Sequence, residues 1–450
     1  MSLSAISPID GRYHAQTAAL AEYFSEQALM RYRAVVEIEY VIALSQIGVG
    51  PKLTTDQEQK LRKLAELSPG DLAAIKHIEQ RTVHDVKALE YFLRDKVEQI
   101  VPGLGALVHF ALTSEDINNI AYAMMIRDFL NVQYHPALDK LQTGLRQLAL
   151  THAALPMLGR THGQPAAPTT LGKELAVFVH RLQAQFPLPQ LTAKLNGAVG
   201  NFNAHTLVLP NINWLEFSEQ FVTGLGFKWQ PLSTQILAAD ALAALFHQFC
   251  RINTILITLA RDIWWYCSHG ILLITPVDAE VGSSTMPHKV NPIMFENAEG
   301  NLLLSNSLLT LLANTLPTSR LQRDLVGSTL QRNIGVAFAH AIIALQNLMA
   351  GLARVVPDID FMSAELDHHP EVLAEAIQTA LRLENNAAGY EQLKQLTRGK
   401  KISLSMIREF VQNAKLSAEL RNRLLALTPA EYTGLAEVLC RYAVEHAELH

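Results

Sequence analysis

Leu242-Ala243-Ala244-Leu245-Phe246-His247-Gln248-Phe249-Cys250-Arg251-Ile252 is the stretch whose reading decides the fold. Leu242, Leu245, Phe249 and Ile252 return every three or four residues, the interval that places side chains on one face of an α-helix. Leu138, Leu141, Leu145 and Leu148 repeat the pattern earlier in the chain. Short alternating runs of the kind that make strands are scarce, and glycine and proline punctuate segments of roughly 15 to 35 residues. Neither a P-loop nor a GxGxxG fingerprint occurs. The chain therefore reads as all-α, and a doubly wound nucleotide fold is disfavoured.

The composition agrees with a packed protein. Of 450 residues, 49% are hydrophobic and 18% charged, which excludes a disordered chain and points to extra buried surface between subunits. With 37 basic against 42 acidic residues the net charge is −5, so no global basic field exists for nucleic acid, although a local cationic pocket remains open. Cys250, Cys267 and Cys440 have no metal-ligand spacing and read as reduced thiols, and no HExxH occurs, so no metal is expected. Residues 1–12 lack a secretory pattern, which predicts a cytoplasmic protein. Segments 301–317 and 336–356 are rich in Leu, Ile and Ala. Asn306, Ser307, Asn314, His340, Gln346, Asn347 and Arg354 interrupt them too often for lipid-facing spans, and no membrane is expected. Breaks near 102–105 and at Pro357 predict three parts, 1–112, 113–357 and 358–450.

Five segments carry the polar chemistry. Gly282-Ser283-Ser284-Thr285-Met286-Pro287-His288-Lys289-Val290-Asn291-Pro292 is too polar and turn-rich for a helix; it reads as a loop, either a lid presenting hydroxyl, ammonium and amide groups or a plain surface turn. Gly159-Arg160-Thr161-His162-Gly163-Gln164-Pro165-Ala166 precedes a helix that starts around Thr169 or Thr170, and His162 is of the side-chain type suited to act as a proton donor or acceptor. Thr113-Ser114-Glu115-Asp116 has capping-box spacing, and a helix N-terminus of this kind also suits a carboxylate or phosphate. His84-Asp85 is a ligand-facing pair or a capped helix start. Arg12 with Tyr13, Arg320, Arg323, and Ser328 with Arg332 supply arginine forks and hydroxyls of the kind that bind phosphate.

Together these motifs resemble the fumarase/aspartase superfamily, whose hallmark is a GSSxMPxKxNP loop, and within it the adenylosuccinate lyase family of the bacterial purine pathway. The likeness runs from about residue 7 to the C-terminus and includes Leu396-Thr397-Arg398-Gly399-Lys400. His288 and Gly163 stand where related fumarases and argininosuccinate lyases usually carry other residues, which favours the purine branch. The resemblance implies a homotetramer built on a central bundle of long helices, with active sites shared between subunits. It implies β-elimination of fumarate from the nucleotide adenylosuccinate, and from succinyl-aminoimidazole carboxamide ribotide, without a cofactor. By the same analogy Ser283 matches the general base and His162 the general acid. Thr113, Ser114, Lys289 and Asn291 match carboxylate contacts, and Arg12, Tyr13, Arg323, Ser328 and Arg332 match contacts around the nucleotide and its phosphate. His84, Asp85, Gln235 and Asn297 match further ligand contacts. Related bacterial enzymes often have asparagine at the place of Val83, which leaves a backbone contact there. The alternatives are another fumarate-releasing lyase of the superfamily and a catalytically silent structural member.

Overall fold

The computed structural model describes residues 3–277, 286, 288–384, 389, 391, 393 and 402–446. The helices used below are α1 (Glu26–Gln46), α2 (Pro69–Thr82), α3 (Asp85–Ile100), α4 (Ser114–Phe129), α5 (His135–Thr151), α6 (Leu171–Gln183), α7 (Asp240–Ser268), α8 (Ile293–Thr315), α9 (Val326–Gln331), α10 (Ile334–Leu352), α11 (Ala374–Leu383), α12 (Leu404–Asn413), α13 (Ala418–Ala426) and α14 (Ala436–Glu445). Among the described residues, strands are two or three residues long and form only two-stranded pairs. The chain is all-α, as the hydrophobic spacing predicts. Leu245, Phe249 and Ile252 are buried, as are Leu138, Leu141 and Leu145, so these stripes face cores.

The chain divides into two compact units. The first comprises 1–137, 187–254 and 300–344; the second comprises 138–186, 255–299 and 345–450. In the first unit α1 is buried on nearly every side, and Met30, Ala34, Ile38 and Val41 pack with Leu61, Ile75, Leu89, Leu93 and Val97. An aromatic cluster joins Phe129, Tyr134, Phe249 and Phe338, with Phe129–Phe338 centroids 5.0 Å and Tyr134–Phe249 centroids 4.9 Å apart. Rings of this size contribute much of the apolar area removed from water.

In the second unit Cys440 on α14 donates to Ala149 O of α5 at 3.4 Å, and α14 turns Ala436, Cys440 and Val444 into the core. Ile377 and Leu381 of α11, Ile407 and Val411 of α12 and Leu424 of α13 form a separate cluster. Four short strands, β1 (Pro156–Met157), β2 (Arg160–Thr161), β3 (Gln164–Pro165) and β4 (Thr169–Thr170), nest as two antiparallel pairs, β1 with β4 and β2 with β3. The helix expected at Thr169 or Thr170 begins at Leu171, with Thr170 as its N-cap accepting from Lys173 N. His368 and His369 end a helix and lead into a turn.

Two stretches, α7 and Val326–Leu352, are long and apolar enough to cross a membrane by length and composition. Of their most apolar windows, 61% and 67% respectively is buried inside the protein, as in core helices. Segment 336–356 overlaps the second of these.

Candidate functional site

The N-terminus of α4 organises the first unit's polar site. Asp116, three residues after Thr113, accepts from Thr113 N at 3.0 Å, so the acidic residue closes the turn as the capping-box spacing predicts. The same carboxylate accepts from Lys194 Nζ at 2.8 Å, Asn196 N at 3.0 Å and Gly197 N at 3.1 Å. Lys194 and Asp116 both have side chains 0% exposed. A buried ion pair persists when further hydrogen bonds satisfy it, and here three backbone amides do so. This hub sets Thr113 and Ser114 against the 194–198 segment, where Ala198 O accepts from Gln235 Nε2 at 2.8 Å.

Gln235 Oε1 in turn accepts from Arg323 Nη1 at 3.1 Å, and Arg323 Nη2 lies 4.0 Å from Glu115. Burial pushes the Glu115 carboxyl above its ordinary value, against the opposing pull of Arg323 and Lys194.

His84 is the N-cap of α3 and accepts from Lys87 N at 3.2 Å. Asp85, the first residue of that helix, pairs with Arg33 Nη1 at 2.8 Å and Arg332 Nη2 at 3.1 Å. Burial works to raise the Asp85 carboxyl, but the Arg33 guanidinium, with help from Val86 N–H and Arg332, holds it at about 2. The pair starts a helix, and it also lines a cavity. That cavity, about 340 Å³, is lined by His84, Asp85, Ser114, Arg323, Ser328 and Arg332, together with Arg33, Asn118, Tyr122 and Gln331.

The structure thus brings together, in one unit, His84, Asp85, Thr113, Ser114, Gln235, Arg323, Ser328 and Arg332 from stretches far apart in sequence. Arg12 and Tyr13 belong to the same unit but do not line this cavity. Arg33, Asn118 and Tyr122 were missed. An arginine among Met30, Ala34, Val36 and Ile38, all buried, was the available signal for Arg33, because such a position needs a buried partner.

The second unit holds His162, Lys289, Asn291 and Asn297. Residues 159–166, bounded by glycine and proline ahead of a helix, fold as a tight hairpin in which Arg160 pairs with Pro165 and Thr161 with Gln164. His162 and Gly163 form its two-residue turn with φ of 54° and 74°, the left-handed pair a type I′ turn requires. His-Gly is a weaker signal for this turn than Asn-Gly, which is why the hairpin was missed. His162 is exposed at the tip, and Arg160 at the base is anchored by an ion pair to Glu365.

A cavity of about 950 Å³ borders the hairpin, lined among others by Arg160, Thr161, Gly163, Glu174, Asp262 and Tyr266. Burial, then repulsion from Glu174, raises the Asp262 carboxyl, and burial raises the Tyr266 hydroxyl. Lys289 is exposed, its N–H bonded to Met286 O at 3.1 Å, and Asn297 lies on α8. Ser283, with the rest of 278–285 and Pro287, lies outside the described residues, as does 394–401 with the Leu396 to Lys400 motif.

Residues 11–304 match a lyase family model, and 319–433 match the model of the adenylosuccinate lyase C-terminal region. The chain is 45% identical over 446 residues to an adenylosuccinate lyase of Vibrio cholerae, covering 97% of this chain and 98% of the relative. It is 45% identical over 445 residues to the adenylosuccinate lyase of Escherichia coli K12, covering 97% of each. Among solved structures, a 3-carboxy-cis,cis-muconate lactonizing enzyme from Pseudomonas putida superimposes with a TM-score of 0.74 at 24% identity, covering 96% of this chain and 98% of that one. A fumarate lyase from Mesorhizobium sp. BNC1 gives 0.74 at 19% identity, covering 95% and 98%. At those identities the two structures speak for the fold.

Proposed function

The chain belongs to the adenylosuccinate lyases of the fumarase/aspartase superfamily, and from that membership we propose that it cleaves adenylosuccinate to AMP and fumarate, and succinyl-aminoimidazole carboxamide ribotide to its carboxamide and fumarate. One observation carries the reading to this chain's own residues: the Arg323 and Arg332 guanidinium groups line one cavity with the Ser114 and Ser328 hydroxyls, a donor set suited to an anionic nucleotide.

In the proposed reaction a base takes the proton from the succinyl carbon next to a carboxylate. The electron pair is held on that carboxylate as an aci-anion, the C–N bond breaks as the C=C bond of fumarate forms, and an acid protonates the departing nitrogen. Ser283 is the base and His162 the acid. A serine hydroxyl is a poor base in water, so its role needs a closed loop that excludes solvent and brings the Lys289 ammonium beside the developing negative charge. Thr113, Ser114, Lys289 and Asn291 hold the succinyl carboxylates. Arg12, Tyr13, Arg323, Ser328 and Arg332 hold the nucleotide and its phosphoryl group, with His84, Asp85, Gln235 and Asn297 as further contacts. The same reading includes three parts, 1–112, 113–357 and 358–450, a cytoplasmic homotetramer, and active sites to which several subunits contribute.

Purified protein mixed with adenylosuccinate tests this directly. The absorbance of the substrate should fall as fumarate and AMP accumulate in equal amounts; an unchanged spectrum, with fumarate released instead from another succinyl adduct, would transfer the chain to a different substrate.

A further inference from the structure

Arg33 is an arginine deep in a mostly apolar helix, with a side chain only 5% exposed. A guanidinium out of water persists only when its donors are paired. Its Nε donates to Asn118 Oδ1 and its Nη1 to Asp85 Oδ2, both at 2.8 Å. The same Asp85 oxygen accepts from Arg332 Nη2 at 3.1 Å, and Asp85 Oδ1 accepts from Val86 N at 2.9 Å. Two guanidinium groups therefore share one carboxylate, and the trio carries a formal charge of +1. Arg33 is the buried member. Arg332 is 52% exposed and lines the 340 Å³ cavity.

We propose that Arg33 is a positioning residue for nucleotide binding: it fixes Asp85, and through Asp85 it presents the Arg332 guanidinium to the substrate phosphoryl group. This rests on the reading of that cavity as the nucleotide site. A half-exposed arginine samples many rotamers, and an anchored carboxylate at its root restricts them before the ligand arrives. Lysine cannot replace the anchor, because one ammonium cannot reproduce the planar fork that reaches Asn118 and Asp85 together. The phosphoryl group is remote from the bond that breaks, so losing the anchor weakens ground state and transition state alike. The effect belongs in KM and leaves kcat nearly unchanged.

The test is a double-mutant cycle on the full-length protein with Arg33→Lys, Arg332→Ala and the pair together, reading AMP binding by calorimetry and steady-state turnover of adenylosuccinate. Arg33→Lys should weaken AMP binding and raise KM by about tenfold, with kcat within about threefold, and should add almost nothing in the Arg332→Ala background. Unchanged AMP binding in Arg33→Lys, or an equal effect with and without Arg332, overturns the proposal. Should Arg33→Lys not fold, Asn118→Ala, which removes the acceptor of Arg33 Nε, takes its place in the cycle under the same two outcomes. If the wild-type protein releases no fumarate from adenylosuccinate, the assigned reaction fails. The cycle is then read with inorganic phosphate, where a non-additive loss sustains the positioning role and unchanged binding overturns it.

Discussion

His162 occupies a turn position that demands φ near 54°, and a change there tests chemistry only if the new residue accepts that backbone. Asparagine does so more readily than most, and its amide supplies no proton at neutral pH. His162→Asn should therefore keep the hairpin and lose about 10² to 10⁴-fold in turnover, the usual contribution of a general acid, as followed by fumarate release. Residual activity above a tenth of wild type would remove His162 from that role. Asp116 offers a contrasting residue, since it holds structure without being assigned to chemistry. Asp116→Asn leaves the Lys194 ammonium fully buried beside a neutral amide. Loss of about 3 to 5 kcal/mol in denaturant-measured stability is expected, and a loss below about 1 kcal/mol would show that the pair is not what holds this turn.

At the scale of elements, the segments that carry the site are held by strained or charged joints. Val83, the C-cap of α2, is 89% exposed with φ 53°, a left-handed conformation that disfavours a β-branched side chain. Val83→Asn relieves that strain, and urea unfolding should show a gain of about 1 kcal/mol; a loss would mean the valine makes a compensating contact. The loop before α4 is tied to α1 by His109 Nδ1 and Glu37 Oε1, 2.6 Å apart, with Glu37 Oε2 also accepting from His109 N at 3.1 Å. Burial works to lower the His109 pKa, but the Glu37 carboxylate prevails and holds it above the ordinary value. A raised histidine pKa stabilises the fold fully below the unfolded value of about 6.5, and that contribution disappears as pH rises through the higher folded value. Wild-type stability should thus fall more steeply than that of His109→Gln once pH passes about 6.5, as read from unfolding curves across that window.

For the whole molecule, the assembly proposed above makes a quantitative prediction. If His162 and Ser283 of one active site come from different chains, mixing inactive His162→Asn and Ser283→Ala proteins and letting subunits exchange should restore up to roughly a quarter of the sites. Complete exchange by mass spectrometry with no gain in activity would show that both residues are supplied by one chain or that neither is catalytic. What the amino-acid sequence determined by itself was local: the all-α class from Leu242, Leu245, Phe249 and Ile252, helix starts at Thr113 or Ser114 and around Thr169 or Thr170, and the polar stretches that supply the candidate site. Those signals depend on residues three or four apart, within reach of one helical turn. Only the tertiary structure decided that Arg33, Asp85 and Arg332 share a carboxylate, that Lys194 is spent on Asp116, and that His162 sits at a hairpin tip. Such pairings follow from which helix faces meet after packing, and a charge in an apolar stretch announces that a partner is needed without saying where in the chain it lies.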